Sequence, residues 1–399
     1  MKNRRTQNGG SRNLWFLKIF SREWKVIKMR ISFIGTKGMN FGNSAFGGFE
    51  TVVTELAPRL VVAGHTVTIY CRKNLYTTNN WPREVRGVRL KFVGSIETKN
   101  LGTMTNSFLS ILDAIRDRVD AVLLFNLGLG IFVPLLKLFG IKVITHLDGI
   151  EWERGKWGRL AKSTFQLGAF LNVKLADELI ADAMEIQRIY LERFHRQPIM
   201  ISYGAEVRND HDPETIQEFG LSVYSYYLLV TRFVPENNPL FIIQNYLQSQ
   251  SQRPLVVLGK NYYNSAYESE IRKIDDPRVL FLGHVADRKS LYEFYKYSYC
   301  YIHGHSVGGT NPTMLEALAN SCCVLALNTP FNKEMLGNGE FGRFFDLEAD
   351  DFVEQLDFLD AHAEIVAALR EKAITRVTTY YNWESVTESY LKLFDSIRE

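Results

Sequence analysis

From residue 30 onward, apolar positions alternate between two spacings, one suited to buried strands and one to helices. Arg30–Ile34 reads as a short strand, followed by a glycine-rich stretch from Gly35 to Gly48. Glu50–Ala63 then has helical spacing through Val53, Leu56, Ala57 and Leu60, and Gly64 supplies a left-handed stop. The rhythm continues with strands at Thr66–Cys71, Val88–Val93, Ala121–Phe125, Lys142–His146 and Glu178–Ala181. Helices are predicted between them at Phe108–Val119, Ile131–Phe139 and Thr164–Leu175. Such alternation predicts a parallel sheet with helices on both faces, joined by right-handed crossovers.

A second round begins near Ser222. Strands are predicted at Tyr226–Val230, Leu255–Leu258, Val279–Leu282, Cys300–His303 and Cys323–Leu327. Helices fall at Pro239–Gln248, Tyr267–Ile274, Lys289–Tyr297 and Thr313–Ala319. The expected fold class is therefore α/β, with two facing doubly wound Rossmann-like domains. The expected boundaries are 1–28 for a basic extension, 29–205 and 206–380 for the two domains, and 381–399 for a crossover segment. Within that last segment, a helix at Trp383–Ile397 is expected to pack back on the first domain. Ligands of such folds bind at the carboxyl ends of the strands, in the cleft between the sheets.

Composition changes this picture little: 399 residues, 46% hydrophobic and 23% charged, suit a two-domain globular chain. Charge changes it more. Before Met29, eight basic residues are opposed by Glu23 alone, so with +3 overall the remainder is net acidic. That balance gives a nucleic-acid role no support. The extension, with Trp15-Phe16-Leu17-Lys18-Ile19-Phe20, reads as a surface for an anionic membrane or as an extra stretch ahead of a start at Met29, the plainer reading. It lacks the apolar length and cleavage site of a signal peptide. The uncharged stretch Ala121–Leu136 is broken by Asn126, Gly128, Gly130 and Pro134, so it reads as a buried strand and helix rather than a membrane span. Four cysteines have no metal-ligand spacing, and adjacent Cys322 and Cys323 are expected on opposite faces of a strand.

Four loops fall at the strand ends that face the cleft. Gly35-Thr36-Lys37-Gly38 and Gly47-Gly48-Phe49-Glu50 lead into a helix, where free amides and the helix dipole suit a phosphate, although an ordinary turn has the same look. His146-Leu147-Asp148-Gly149-Ile150-Glu151-Trp152 places a histidine and two carboxylates, His146, Asp148 and Glu151, where they can bind hydroxyls or manage a proton. Arg232 can form two bonds to a diphosphate, or a surface salt bridge. The richest loop is His303 to Glu316, with Gly308, Gly309, Thr310 and Asn311 before a helix. Glu316 beside Met314 and Leu315 needs a partner on an apolar helix, and two ribose hydroxyls would be one. A solvated carboxylate favoured by the dipole is the plainer account. Asp210-His211-Asp212 looks like an acidic metal triplet but lies in the interdomain loop, and His303 and His305 are not spaced for zinc.

Taken together, these segments resemble the retaining GT-B glycosyltransferases of the family 4 type, within them the bacterial rhamnosyltransferase-like proteins of capsule and surface polysaccharide. The resemblance rests on Ile34–Gly38, Gly47–Thr51, His65–Arg72, Asp148–Trp152, Arg232 with Pro235–Asn238, Gly308–Pro312 and Leu315–Ala317. It implies that Glu316 binds ribose hydroxyls, Gly309–Asn311 hold sugar and phosphate, and Arg232 neutralises the diphosphate. It further implies that the backbone of Gly283-His284-Val285 meets the base, His146 lies near the sugar, and Gly47-Gly48 lie against the diphosphate. No cofactor or metal is implied. The expected donor is a dTDP- or UDP-linked sugar, and the expected acceptor a glycan or a lipid-linked glycan at the cytoplasmic membrane face.

Two positions depart from the family pattern: Gly308 stands where a glutamate is usual, and Asn237 where a lysine is usual. The first hints at an unusual donor such as a deoxysugar. Two rivals share the architecture, a nucleotide-sugar 2-epimerase and a dead transferase that only binds nucleotide-sugar.

Overall fold

The computed structural model describes residues 28–41, 47–76, 81–96, 98, 101–147, 149, 158–259, 266–285, 287–347 and 351–398. The first domain runs β1 (Arg30–Ile34), α1 (Gly48–Val62), β2 (Thr66–Arg72), β3 (Glu84–Val85), β4 (Val88–Val93), α2 (Gly102–Arg116) and β5 (Ala121–Phe125). It continues with α3 (Val133–Leu138), β6 (Lys142–Leu147), α4 (Arg159–Leu175), β7 (Glu178–Ala181), α5 (Met184–Phe194) and β8 (Ile199–Met200). The strand order is β3-β4-β2-β1-β5-β6-β7-β8, parallel except for the β3–β4 hairpin.

The second domain begins with α6 (Glu214–Gln217), β9 (Tyr227–Val230), α7 (Pro239–Tyr246), β10 (Leu255–Leu258), α8 (Ala266–Ile271) and β11 (Val279–Gly283). Then come α9 (Arg288–Tyr297), β12 (Cys300–His303), α10 (Pro312–Ala319), β13 (Val324–Leu327), α11 (Pro330–Met335) and β14 (Arg343–Phe345). Its parallel sheet has the order β11-β10-β9-β12-β13-β14. Helices α12 (Asp351–Ala361), α13 (Ala363–Tyr380) and α14 (Trp383–Ser396) follow.

The α/β architecture with two parallel sheets is the one expected from the sequence. Central strands such as β5 (AVLLF) and β10 (LVVL) are buried along their whole length because helices cover both faces of each sheet. One apolar core lies on the facing sides of both domains, and each domain has a second core under its outer helices. Cys322 belongs to the shared core and Cys323 to the outer one, so they do point to opposite sides, although the strand itself starts at Val324. Helix α14 packs back on the first domain: Arg59 lies 5.5 Å from the Trp383 ring centre and His65 5.8 Å from that of Phe394.

Three predicted helices differ, and one of them, α4, simply starts at Arg159 instead of Thr164. α2 starts at Gly102 instead of Phe108, because small polar residues, not apolar ones, line its first turns; Asn106 donates to the Val93 carbonyl. The stretch from Leu127 to Phe132 is a tight 3₁₀ turn, opened by the Asn126 side chain accepting from Gly128 N, and α3 is only six residues long.

The order of each sheet reverses once, between β1 and β5 and between β9 and β12. These are the points where loops on neighbouring strands leave in opposite directions and open a crevice.

Candidate active site

At the first reversal, the chain leaves β1 through Gly35, whose φ of 103° is open to glycine. A Cβ there would sit 2.0 Å from the Phe125 carbonyl oxygen of β5, so no other residue fits. Glu50, buried in the first turn of α1, closes the loop: Oε1 accepts from Lys37 N at 2.8 Å and Oε2 from Gly47 N at 2.8 Å. One carboxylate thus staples both glycine segments and satisfies an amide at the helix start. Gly48 faces the other domain, where a Cβ would stand 3.2 Å from Pro312 Cγ.

At the second reversal, the loop from Gly304 to Asn311 is anchored on its neighbours. Ser306 N and Oγ donate to the Glu236 carbonyl, Asn238 to the Gly304 carbonyl, and Asn332 to the His305 carbonyl. Asn311 caps α10 by accepting from Thr313 N at 3.1 Å, and the first turn of α10 holds no acidic residue. Gly308 has φ 132° and open space around it. Gly309 lies directly under the carboxylate of Asp182, at the end of β7 in the opposite domain, and Thr310 Oγ1 donates to the Asp182 carbonyl.

Glu316 sits one turn further along α10. Its Oε1 accepts from Arg288 Nη2 at 2.5 Å, so the partner that a carboxylate needs on this helix is an arginine at the start of α9. Among the described residues no hydrogen bond reaches Oε2. The pair lines a cavity between the domains that also takes in Thr51 and Glu55 of α1, Pro312 and Trp383. Gly283, with φ 77°, ends β11 immediately before α9, and its carbonyl accepts from Gly259 N. His284 and Val285 therefore lie, half-buried, on the same edge as Arg288.

Arg232, beyond β9, is exposed and makes no ion pair among the described residues. Asn237 is buried and donates to the Arg232 carbonyl at 3.3 Å, so it closes the arginine's own turn rather than adding a charge.

His146, in β6, is fully buried between aromatic rings: Phe125 stacks on it at 5.6 Å, and Phe49 and Tyr203 approach at 5.4 and 5.5 Å. Burial pulls its pKa down to about 4, so it is a neutral imidazole near pH 7. Asp148 and Glu151 lie outside the described residues. His211 of the supposed metal triplet is committed to Glu293, 3.2 Å away, and pins the interdomain loop to α9.

Two family models match this chain: a glycosyl transferase 4-like domain over residues 47–202 and glycosyl transferases group 1 over residues 214–376. The chain belongs to the glycosyltransferases. No curated protein matches it as a sequence relative. The glycosyltransferase superposes on sucrose-phosphate synthase from Thermosynechococcus elongatus with a TM-score of 0.77 at 16% identity, covering 92% of this chain and 99% of the other. Anabaena HepE in complex with UDP-glucose gives 0.76 at 14% identity, covering 92% and 100%. The catalytic domain of starch synthase IV from Arabidopsis thaliana, bound to ADP and acarbose, gives 0.69 at 12%, covering 93% and 99%. These likenesses confirm the GT-B arrangement of the two sheets.

In this glycosyltransferase the fold brings Gly47, Gly48, Gly308 to Asn311 and Glu316 to facing walls of one cleft. Arg232 and the Gly283–Val285 edge stand on neighbouring strand ends. Sequence reading misses Arg288, Asp182 and the staple made by Glu50. It also misses Glu334, which reaches from α11 to accept from Met184 N at 2.8 Å and so caps α5 of the other domain. Only Glu50 carried a local signal, an acidic residue three positions after a glycine cap.

Proposed function

We propose that the protein transfers a hexose or deoxyhexose, rhamnose foremost, from a dTDP- or UDP-linked donor to a glycan acceptor. The observation that carries this reading is the Glu316–Arg288 pair beside the first turn of α10, which carries no acidic side chain. Residues 206–380 hold the nucleotide-sugar, and residues 29–205 present the acceptor. Glu316 Oε2 takes the ribose hydroxyls, while Gly283, His284 and Val285 meet the base. The amides of Gly309 and Thr310, and that of Asn311 once it leaves Met335 Sδ, to which it donates at 3.2 Å, receive the diphosphate with the helix dipole behind them. Arg232 adds a full charge at the point where negative charge grows as the glycosidic bond breaks.

His146, neutral and ring-packed, shapes the sugar pocket, with Asp148 and Glu151 following it in the sequence. The transfer retains anomeric configuration and uses no bound metal. The acceptor is lipid-linked, which places the enzyme at the cytoplasmic face of the membrane as a peripheral protein of polysaccharide assembly.

Thermal shift against a panel of nucleotide-sugars identifies the donor, since a ligand that binds the folded state raises the melting temperature. The donor so found, incubated with acceptor extract, is expected to release nucleoside diphosphate only when acceptor is present. Turnover of donor alone would instead mark a 2-epimerase. Binding without any release would mark a dead transferase, a rival motivated by Gly308 and Asn237.

A further inference from the structure

Helices α2, α3, α4 and α5 all cover the same side of the first sheet, and their inward side chains share one core. Their outward side is unlike the rest of the surface. Phe108 and Leu112 on α2, Leu138 and Phe139 at the end of α3, and Leu167 and Phe170 on α4 are all exposed, Leu138 to 79%. Phe108 touches Phe132 at 5.6 Å, which joins the α2 patch to the turn before α3. Solvent-facing leucine and phenylalanine on three neighbouring helices form an apolar face, and such faces mark contact surfaces.

Its charge says what the contact is. α4 carries Arg159, Lys162 and Lys174 and no acidic residue, with Lys174 one turn beyond Phe170. Phe139 borders a recess shared with Arg116, which is paired with Asp113 at 2.6 Å, and Arg118. The N-terminal extension joins the fold at this same rim: the Arg30 backbone N donates to Asp120 and its guanidinium to the Asp117 carbonyl, immediately after α2. Up to Lys28 that extension holds eight basic residues against Glu23.

We infer that the outer face of α2, α3 and α4 docks on an anionic lipid bilayer. The apolar side chains enter the boundary between headgroups and acyl chains, and the basic rim meets the lipid phosphates. A two-fold contact with a second copy would set the basic rim against its own image, which is unfavourable. The inference deepens the membrane-side reading above and does not depend on which donor is used.

The test is co-sedimentation of the full chain with phosphatidylcholine vesicles, with and without phosphatidylglycerol. Binding is expected to the anionic vesicles. The paired substitutions Leu138→Glu/Phe139→Glu and Leu167→Glu/Phe170→Glu are each expected to lower it by roughly tenfold. A donor-induced thermal shift equal to that of the parent protein shows that the variants fold. Normal binding by both variants, with loss on Lys18→Gln/Arg22→Gln/Lys25→Gln, would place the contact in the extension and overturn the inference. So would no binding to any vesicle, or a dimer in sedimentation velocity that the same glutamates dissolve. Failure of every donor to support transfer would sink the proposed function and leave the vesicle result standing.

Discussion

The cleft is framed by two helices, α1 and α10, that each begin at or just after a pair of glycines at a sheet reversal, yet they are wired differently. At α1 the anion is built in: Glu50 already accepts from Gly47 N and from Lys37 N. At α10 the cap is a neutral asparagine, the first turn has no acid, and the only carboxylate, Glu316, comes a turn later and is tied to Arg288. Glycines ahead of a helix look alike in a sequence. What separates a structural turn from an anion seat is whether the chain supplies its own negative charge to those amides.

Exchanging each carboxylate for alanine tests this most strongly. Glu50→Ala leaves the part-buried amides of Lys37 and Gly47 without their acceptor, and is expected to lower the unfolding free energy by about 2 kcal/mol in urea titrations. Donor affinity per folded molecule should change little. Glu316→Ala should do the reverse: calorimetry is expected to show donor binding weakened by about 1–3 kcal/mol, with a smaller stability loss because Arg288 keeps contact with water. If Glu316→Ala matches Glu50→Ala in stability and keeps full donor affinity, the two helix entrances do not differ as argued.

How much of this was legible in the sequence follows from how far each partner lies along the chain. Strand and helix alternation is a local pattern, and β5 or β10 announce themselves by unbroken apolar runs. The helix bearing Glu316 is equally local, as is the loop from Gly308 to Asn311. Arg288 pairs across 28 residues, Asp182 meets Thr310 across 128, and Glu334 reaches Met184 across 150. No spacing rule spans such distances: the packing of α9 beside α10 sets the first contact, and the closure of one domain on the other sets the other two. β14, three residues long, is too short for a periodicity to show.

Acid sharpens the comparison by a smaller amount. Each entrance has a buried histidine behind it: His146 packs on Phe49 of α1, and His303 accepts or donates at Nδ1 to Tyr301, whose hydroxyl reaches Thr313 of α10. Burial lowers their pKa values to about 4 and about 3. The unfolded chain takes up these protons near pH 6.5 and the folded chain does not, so the stabilisation is present above 6.5 and is lost as pH falls toward those values. From pH 7 to 5 each is expected to cost about 2 kcal/mol of unfolding free energy. His146→Phe, which keeps the ring stack, should remove its share of the slope. A slope unchanged in that variant would mean that other groups carry the acid sensitivity.

The smallest expected effect concerns Gly308, where the family pattern has a glutamate. No atom lies within 4 Å of a Cβ placed there, so a side chain meets no obstacle. The obstacle is the backbone: φ 132° is a conformation that side-chain-bearing residues rarely adopt. Gly308→Ala and Gly308→Glu are therefore expected to cost the same, about 1 kcal/mol each, measured as the shift in urea midpoint. A much larger loss for glutamate would mean that the site is crowded after all. If the two agree, restoring the carboxylate should still not restore an ordinary hexose preference in the donor panel. The loop that would carry it has been rebuilt around glycine, with Gly309 closed against Asp182 and Thr310 bonded to the Asp182 carbonyl. On the proposed reading, sugar selection at this end belongs to both domains at once, whereas the nucleotide end rests on Glu316 and Arg288 within one.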